Sequence, residues 1–270
     1  MKPSARRLVP ALAASLIAVL VASCATTTSS TGRRQNVGAV SQQQLDQLGA
    51  QAFAEAKQKQ KVSSDPKQNA YVRCVVTALV AQLPAEQRSI SWETAVFIDD
   101  EANAFALPGG KVGVNTGMFP VAKSQDQLAA VIGHEIGHVI ERHFDERITN
   151  QVRTSQALAL LGALAGDYGS LVSQGGGIAA NTGFLLPNSR RQETEADEVG
   201  QRLMAQAGFD PRQAVNLWQN MLSAGGSRPP QWLSTHPDPQ ARIRELQGRA
   251  GALVPTWEAA RAAGRTPRCS

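Results

Sequence analysis

The chain has 270 residues, of which 42% are apolar and 18% are charged, and this suits one globular domain with a substantial core. Its formal net charge of +5 falls to +2 (24 − 22) once residues 1–23, which hold three basic residues and no acid, are set aside. A balance this small excludes any charge-based reason to expect a nucleic acid as partner.

The first 23 residues are arranged like a secretory signal peptide. Residues 1–7 are basic, residues 8–22 are apolar, and small residues follow. The apolar run of about fifteen residues is shorter than the roughly 20 that a membrane span needs. The sequence V-A-S-C at 21–24 resembles a bacterial lipobox, so we predict that Cys24 is lipidated; the alternative is a plain signal peptide beside an unmodified cysteine. No Asp follows Cys24, which by the same resemblance favours the outer membrane.

Residues 24–40 are predicted to form a flexible tether. Residues 25–36 are rich in Thr, Ser and Arg and carry no large apolar side chain, a composition that does not support a packed core. The folded domain is therefore expected to occupy residues 41–270.

The other two cysteines are Cys74 and Cys269. In an oxidising compartment an even pair favours a disulfide, which here would tie the C-terminal tail to an early helix. Two free thiols are the alternative, because Cys269 lies where a chain often frays.

Two helices and a small sheet are predicted before the central motif. Residues 41–60 form a helix with a weak apolar stripe, and Asp65-Pro66 has the N-cap and first-turn chemistry that opens a second helix to about residue 83. Residues 91–99 are rich in Val, Ile, Phe and Trp and predict a strand. Two β-prone runs around a Pro-Gly-Gly turn then predict a hairpin over residues 103–115. Gly113 inside its second run suggests a close backbone approach.

The central motif is H-E-x-x-H within Val131–Ile140, with apolar residues on both sides. Positions four apart on a helix differ by about 40° around the axis, so His134 and His138 project from one face and can share Zn²⁺. Glu135 lies between them, where a general base for an acidified water is needed. Ser124 supplies a helix start in the right place. The alternative is a buried helix that carries two histidines by chance.

Residues 154–186 hold a leucine-rich run, then several glycines including Gly175-Gly176-Gly177, then a second apolar run. Two packed helices joined by a flexible loop are one interpretation. The other is an apolar lid over the active site, hinged at the triple glycine.

A second acidic motif follows at residues 189–197. Glu193 and Asp197 are four apart and share a helical face, whereas Glu195 is about 200° from Glu193. A carboxylate from a second helix is what a two-histidine site lacks for catalytic zinc, so Glu193 is the expected third ligand. Asp197 is expected to accept a hydrogen bond from a ligand imidazole and orient it. A solvated acidic face is the alternative.

The rest of the chain is predicted to be helical with loops. Gly208 ends the acidic helix, Asp210-Pro211 starts another, and a helix bearing Arg242 follows. A separate short helix is expected to start near Thr256.

Four ordered motifs together resemble the gluzincin metallopeptidases typified by HtpX, the CAAX prenyl protease and BepA-type periplasmic proteases. They are N-A-F-A-L-P-G-G-K-V, H-E-x-x-H, S-R-x-x-E-x-E-A-D and S-T-H-P-x-x-x-x-R-I, and the likeness spans roughly residues 43–246. The resemblance implies an α+β, mainly helical, zincin-like domain that binds one Zn²⁺ through His134, His138 and Glu193, with Glu135 as base and acid. It also implies that a substrate strand pairs along the Val112–Asn115 edge. The expected substrate-binding residues are Asn103, Val112, Gly113 and Val114.

Two histidines lie outside the H-E-x-x-H pair. His143 is nine residues after His134, half a turn out of phase on a continuous helix, and is expected to be structural. His236 lies in the S-T-H-P loop. It is expected to act in catalysis by stabilising the oxyanion, or else to occupy the open zinc position as a fourth ligand that silences the enzyme; an ordinary loop histidine is the third possibility.

The sequence therefore predicts a lipid-anchored zinc endopeptidase of the bacterial periplasm whose substrates are extended polypeptides. Misfolded or misassembled envelope proteins are the substrate class that the resemblance implies. A zinc-containing chaperone or adaptor without proteolytic activity is one alternative, although a purely structural site has no use for Glu135. A zinc hydrolase of peptidoglycan peptides is another.

Overall fold

The computed structural model describes residues 25–164, 188–224, 236 and 238–270. Helices dominate and two small sheets accompany them, which confirms the predicted α+β, mainly helical class. The strands are β1 (Ala25–Thr28), β2 (Arg34–Val37), β3 (Glu93–Phe97), β4 (Ala104–Leu107) and β5 (Lys111–Asn115). The helices are α1 (Gln42–Lys59), α2 (Pro66–Val80), α3 (Ala85–Arg88), α4 (Gln125–Ile140), α5 (His143–Leu164), α6 (Arg190–Ala207), α7 (Gln213–Ala224) and α8 (Pro239–Ala262).

The ends of the helices follow local chemistry that the sequence already displays. Ser41 and Ser189 form capping boxes at the starts of α1 and α6, and Asp65 accepts backbone hydrogen bonds at the start of α2. Ser124 accepts a hydrogen bond from a backbone N–H in the first turn of α4. Gly208 ends α6 in the left-handed conformation, with φ of 89°, where a side chain is disfavoured. The predicted helix boundaries in these places are correct to within a few residues.

The strand order in the larger sheet corrects one expectation. The order is β3-β5-β4, with β3 parallel and β4 antiparallel to β5, so Val112–Asn115 is the central strand and both its edges are already paired. A substrate strand therefore cannot pair there. Among the described residues, β4 is the terminal strand on the side away from β3. The close approach expected at Gly113 is present, but it is the ring of Phe105 that covers the glycine.

The segment predicted to be a flexible tether is instead a hairpin. Strands β1 and β2 pair in antiparallel register from Ala25↔Val37 to Thr28↔Arg34, and β2 packs on α5. The composition of residues 25–36 did not indicate this hairpin, because its turn is held by polar contacts and its one buried large apolar residue, Val37, lies just beyond that stretch. Ser30, Thr31 and Arg33 each bond to a carboxylate of the helical domain.

Helix α4 lies at the centre of the core. Every residue from Gln127 to His138 is buried, and α4 packs against α2, β4, α6 and α7. Its contact with α6 is close because the helices meet at glycines. A Cβ placed on Gly200 would lie 2.6 Å from the backbone N of His134, and one on Gly137 would lie 2.9 Å from the carbonyl O of Ala196. The glycines let the two motif-bearing helices approach at backbone distance.

The C-terminal region departs from prediction in one respect. The two helices expected after residue 238 form one helix, α8, which continues through Pro255. A proline inside a helix removes one backbone hydrogen bond and crowds the carbonyl four residues earlier, which here belongs to Gly251. Burial of Leu246, Ala250 and Ala260 holds both halves of the helix against the domain.

Cys74 and Cys269 form a disulfide, with Cα atoms 5.6 Å apart, so the paired alternative is the one that the structure contains. The bond joins α2 to the tail that follows α8, across 195 residues of sequence. The tail is also held to the start of α4. The Cys269 backbone N–H donates to Gln125 Oε1, and Gln125 Nε2 donates to the carbonyl of Pro267.

Several predictions lie outside the described residues. They are the signal peptide, the lipidation of Cys24, the glycine hinge with most of the apolar 154–186 segment, and the S-T-H-P loop except His236. Within the described part of the chain, no helix is long and apolar enough to cross a membrane.

Candidate metal centre

Helix α4 presents two imidazoles to one buried point. His134 and His138 are one turn apart, their ring centroids are 4.6 Å apart, and their Nε2 atoms are 3.0 Å apart. Both side chains are at most 3% exposed. The four-residue spacing of His134 and His138 therefore places both imidazoles on one face of α4, as predicted.

Helix α6 brings a carboxylate to the same point. Glu193 Oε2 lies 3.5 Å from His134 Nε2, and Glu193 Oε1 lies 3.4 Å from His138 Nε2. His236 completes the group, since ligand atoms of all four residues lie within 4.8 Å of one another. His134, His138, Glu193 and His236 are called the metal group below.

His236 lies over both helical histidines and beside the motif glutamate. Its ring centroid is 5.0 Å from that of His134 and 5.4 Å from that of His138, and its Nε2 is 3.4 Å from Glu135 Oε1. The position suits a fourth ligand, and it equally suits a donor beside the general base. Both expectations for His236 are compatible with this geometry.

His134 is oriented by a buried carboxylate, as expected for Asp197. His134 Nδ1 lies 3.0 Å from Asp197 Oδ1. Arg242 of α8 grips the same carboxylate, since its Nη2 donates to Oδ1 at 2.6 Å and its Nε donates to Oδ2 at 2.7 Å. The guanidinium also lies 3.9 Å over the ring of Trp218, and its Nη1 is 2.5 Å from Glu193 Oε2. Arg242 thus pairs with two acidic residues of α6 at once.

His138 is supported through a second histidine. His138 Nδ1 lies 2.7 Å from His143 Nδ1, and His143 Nε2 lies 3.0 Å from Glu195 Oε2. His143 is absent from the metal group, in line with the prediction, but the phase argument behind that prediction is wrong. Helix α4 ends at Ile140, Arg142 takes a positive φ of 55°, and His143 begins a new helix.

The sequence model described as "Peptidase family M48" matches residues 66–250, more than half of the chain. The chain belongs to peptidase family M48.

The relatives of this M48 chain include proteases from eukaryotes and bacteria. The mitochondrial metalloendopeptidase OMA1 of Schizosaccharomyces pombe is 40% identical over 179 residues, which cover 66% of this chain and 51% of that protein. The beta-barrel assembly-enhancing protease of Escherichia coli is 32% identical over 191 residues, which cover 67% of this chain and 39% of that protein. The chain thus spans about half or less of the length of these relatives. The family and the relatives' names support the predicted enzyme class, a zinc metalloendopeptidase.

The electrostatics of the M48 metal group fit a bound cation. Burial lowers the pKa of His134 and of His138 well below the usual range, and the positive charge of Arg242 acts in the same direction on both. Both imidazoles are therefore neutral, as metal ligands must be. Burial raises the pKa of Glu193, against the nearby charges of His236 and Arg242. A cation between these residues would favour the carboxylate form.

Three residues of the site were missed in the sequence. Glu195, His143 and Arg242 support the ligands without belonging to the metal group. The E-x-E-A-D motif contains Glu195, and R-I contains Arg242, but spacing alone gave neither a role.

The four residues expected to bind substrate differ in how accessible the fold leaves them. Val112, Gly113 and Val114 are buried in the central strand, while Asn103 is half-buried just before the terminal strand β4.

Proposed function

We propose that this protein is a zinc-dependent endopeptidase. The observation that carries the proposal is the convergence of His134, His138 and Glu193 on one point, with Glu135 on the same helix beside them. Two imidazoles and a carboxylate form the three-ligand set of catalytic zinc, which leaves a position for water or substrate.

Zinc bound there would supply a Lewis acid that acidifies water and polarises a carbonyl. The remaining chemistry belongs to the chain. Glu135 accepts the proton of the attacking water and returns it to the leaving amine, since a single carboxylate can serve in turn as base and acid. Asp197 keeps the Nδ1 proton on His134, so that the Nε2 lone pair faces the site.

The substrate is proposed to be an extended polypeptide that adds a strand to β4. The backbone of Asn115 donates to the carbonyl of Asn103, so alternation along an antiparallel pair directs the backbone groups of Ala104 and Ala106 away from β5. The side chains of these two alanines are buried, and β4 packs on α4. Main-chain pairing of this kind accepts many sequences.

The setting is proposed to be the bacterial cell envelope, with misfolded or misassembled envelope proteins as substrates. Support comes from the signal-like residues 1–23, from the lipobox-like cysteine at 24, and from relatives named beta-barrel assembly-enhancing protease. Lipidation of Cys24 and attachment to the outer membrane are parts of this proposal.

One observation favours a second candidate, a zinc-containing chaperone or adaptor without proteolytic activity. His236 brings the metal group to four residues, and four protein ligands are typical of structural zinc. In that case Glu135 would have no task.

The experiment that separates the two uses residues 25–270, unfolded casein and a chelator. We expect about one zinc per chain, cleavage that the chelator abolishes, and at least a 100-fold loss of cleavage in Glu135→Gln with zinc retained. Zinc binding without cleavage by the wild-type chain would favour the chaperone. Equal cleavage by Glu135→Gln would refute the assigned base.

A further inference from the structure

The N-terminal hairpin contacts three of the helices that surround the metal site, α4, α5 and α6. Ser30 of its turn donates from its backbone N–H and its hydroxyl to Glu141, the C-cap of α4, at 2.9 and 2.5 Å. Arg33 donates through both Nη atoms to Glu146 of α5, at 2.7 and 2.8 Å. The same Arg33 donates through Nε to Glu195 Oε2 of α6 at 2.6 Å.

Glu195 links the hairpin to the metal group through a series of hydrogen bonds. Thr31 donates its hydroxyl to Oε1 of Glu195, while Arg33 and His143 share its Oε2. His143 then contacts His138. The route from hairpin to ligand is Arg33, Glu195, His143 and His138, with contacts of 2.6, 3.0 and 2.7 Å.

One placement of protons satisfies every donor and acceptor along this route. Glu195 acts as a charged acceptor, because the Arg33 guanidinium donates to its Oε2 at 2.6 Å and the Thr31 hydroxyl donates to its Oε1. An ionised carboxylate only accepts, so His143 Nε2 carries a proton and donates it. With its proton on Nε2, the imidazole of His143 offers the lone pair of Nδ1 as an acceptor.

His138 must therefore donate from Nδ1 to His143, which leaves the lone pair of His138 Nε2 facing His134 Nε2 and Glu193. That tautomer is the one able to bind a metal through Nε2. The charge of Glu195 thus selects the tautomer of His138 through one intervening imidazole. Glu195 in turn keeps its position through the hairpin.

We propose that the N-terminal hairpin, through Arg33 and Thr31, is a positioning element of the metal centre that holds Glu195 and His143 so that His138 presents Nε2 to the metal. The inference rests on the proposed function for the identity of the metal and concerns residues that neither bind it nor contact substrate. A hairpin that only stabilises the fold would make the same contacts but would not change metal affinity.

The test measures zinc affinity by chelator competition on the full-length protein. His143→Ala removes the acceptor for His138, and we expect zinc to bind roughly 10- to 100-fold more weakly, the usual effect of losing a residue that orients a ligand. His143→Gln keeps an amide oxygen towards His138 and an amide N–H towards Glu195, and it should recover most of that loss. This pair of variants separates loss of orientation from loss of folding.

The hairpin itself is tested with Arg33→Ala. Its matched control is Arg34→Ala, since Arg34 is exposed, belongs to the same hairpin and makes none of the carboxylate contacts described for residues 30–33. We expect Arg33→Ala to weaken zinc binding several-fold and Arg34→Ala to leave it unchanged. Cobalt(II) in place of zinc adds an optical reading, because its visible spectrum should shift in Arg33→Ala when ligand geometry changes.

Wild-type zinc affinity and an unchanged cobalt spectrum in both Arg33→Ala and His143→Ala would overturn the proposal. A lower melting temperature of the metal-free protein with unchanged affinity would assign the hairpin a structural role only, and that also overturns it. Failure of the proposed function has a different signature, since the wild-type chain would then bind no zinc or cleave nothing.

Discussion

The two candidate ligand histidines of α4 are held by similar chemical groups, but these groups lie in different parts of the structure. His134 Nδ1 contacts Asp197 directly, and the carboxylate of Asp197 is held by Arg242 from α8. His138 reaches Glu195 only through His143, and that carboxylate is held by Arg33 from the N-terminal hairpin. Each support therefore ends in a carboxylate paired with an arginine.

The difference lies in where the arginine sits. Arg242 is 3% exposed and stacks on Trp218, whereas Arg33 is 19% exposed and belongs to a hairpin held by polar contacts. A buried ion pair is costly to break because the remaining charge loses both partner and solvent, while water can replace an exposed partner. The His134 support is thus part of the core, and the His138 support is open to the surface.

The largest expected effect is the difference in unfolding free energy between two single variants, Arg242→Ala and Arg33→Ala. Arg242→Ala leaves Asp197 and Glu193 buried without their cation and should cost about 3–5 kcal/mol in the free energy of unfolding. Arg33→Ala should cost about 1 kcal/mol or less, as for partly exposed pairs. Urea unfolding of both variants in chelator measures the difference directly. Equal losses would contradict the distinction between a buried and a surface support.

The variant His236→Ala tests whether His236, which contacts both candidate ligand histidines, restrains or aids cleavage. As a fourth ligand that keeps the enzyme silent, it should restrain cleavage, so His236→Ala should raise casein cleavage and weaken zinc binding. As an oxyanion donor it should aid cleavage, and the same change should lower the rate roughly 10²- to 10³-fold with zinc unchanged. The self-silencing role is the one we expect. If both rate and affinity stay at the wild-type level, neither role stands.

Gly200→Ala tests the helix contact that both supports share. The new Cβ would lie 2.6 Å from the backbone N of His134, so α4 and α6 must separate. We expect a loss of about 1–3 kcal/mol in unfolding free energy, typical of overpacking, together with weaker zinc binding, because Glu193 moves away from His134. Gly248→Ala is the control, since a Cβ there meets no described atom within 4 Å. Equal stability of the two variants would show that the contact is less close than described.

The smallest expected effect is a pH dependence of the stability that Glu195, which supports His138 through His143, contributes to the fold. Glu195 has a pKa of about 2 in the folded chain, below its ordinary value of 4.5, so its folded contacts favour the ionised form. Its contribution to stability is complete above pH 4.5 and is lost as the pH falls through 2. The stability difference between wild type and Glu195→Gln, measured by urea unfolding in chelator, should therefore shrink from pH 5 to pH 2. A constant difference over that range would argue against an ionised Glu195.

Local features explain which parts of the fold could be predicted. Ser41, Asp65, Ser189 and Gly208 act on backbone groups within a few residues, so the ends of their helices follow from short stretches of sequence. A separate helix is expected from about Thr256, and the local effect of Pro255 would favour such a break. There tertiary burial prevails over local propensity, and the helix continues.

The N-terminal hairpin and the strand order of the larger sheet could not be predicted from local sequence patterns. Residues 25–36 lack an apolar pattern, and their partners Glu141, Glu146 and Glu195 lie more than 100 positions away. The order β3-β5-β4 likewise depends on which strand enters the middle of the sheet, and the hairpin turn alone allows β5 to lie at an edge.

The sequence by itself determined the candidate metal ligands, because a turn of helix converts the four-residue spacing of His134 and His138 into one shared face, and a second helix supplies Glu193. Only the tertiary structure decided how those ligands are oriented. The break at Arg142 turns His143 back towards His138, and the hairpin brings Arg33 to Glu195 from the other end of the chain. Helical periodicity acts over a few residues, whereas hydrogen bonds between distant segments exist only once the chain has folded.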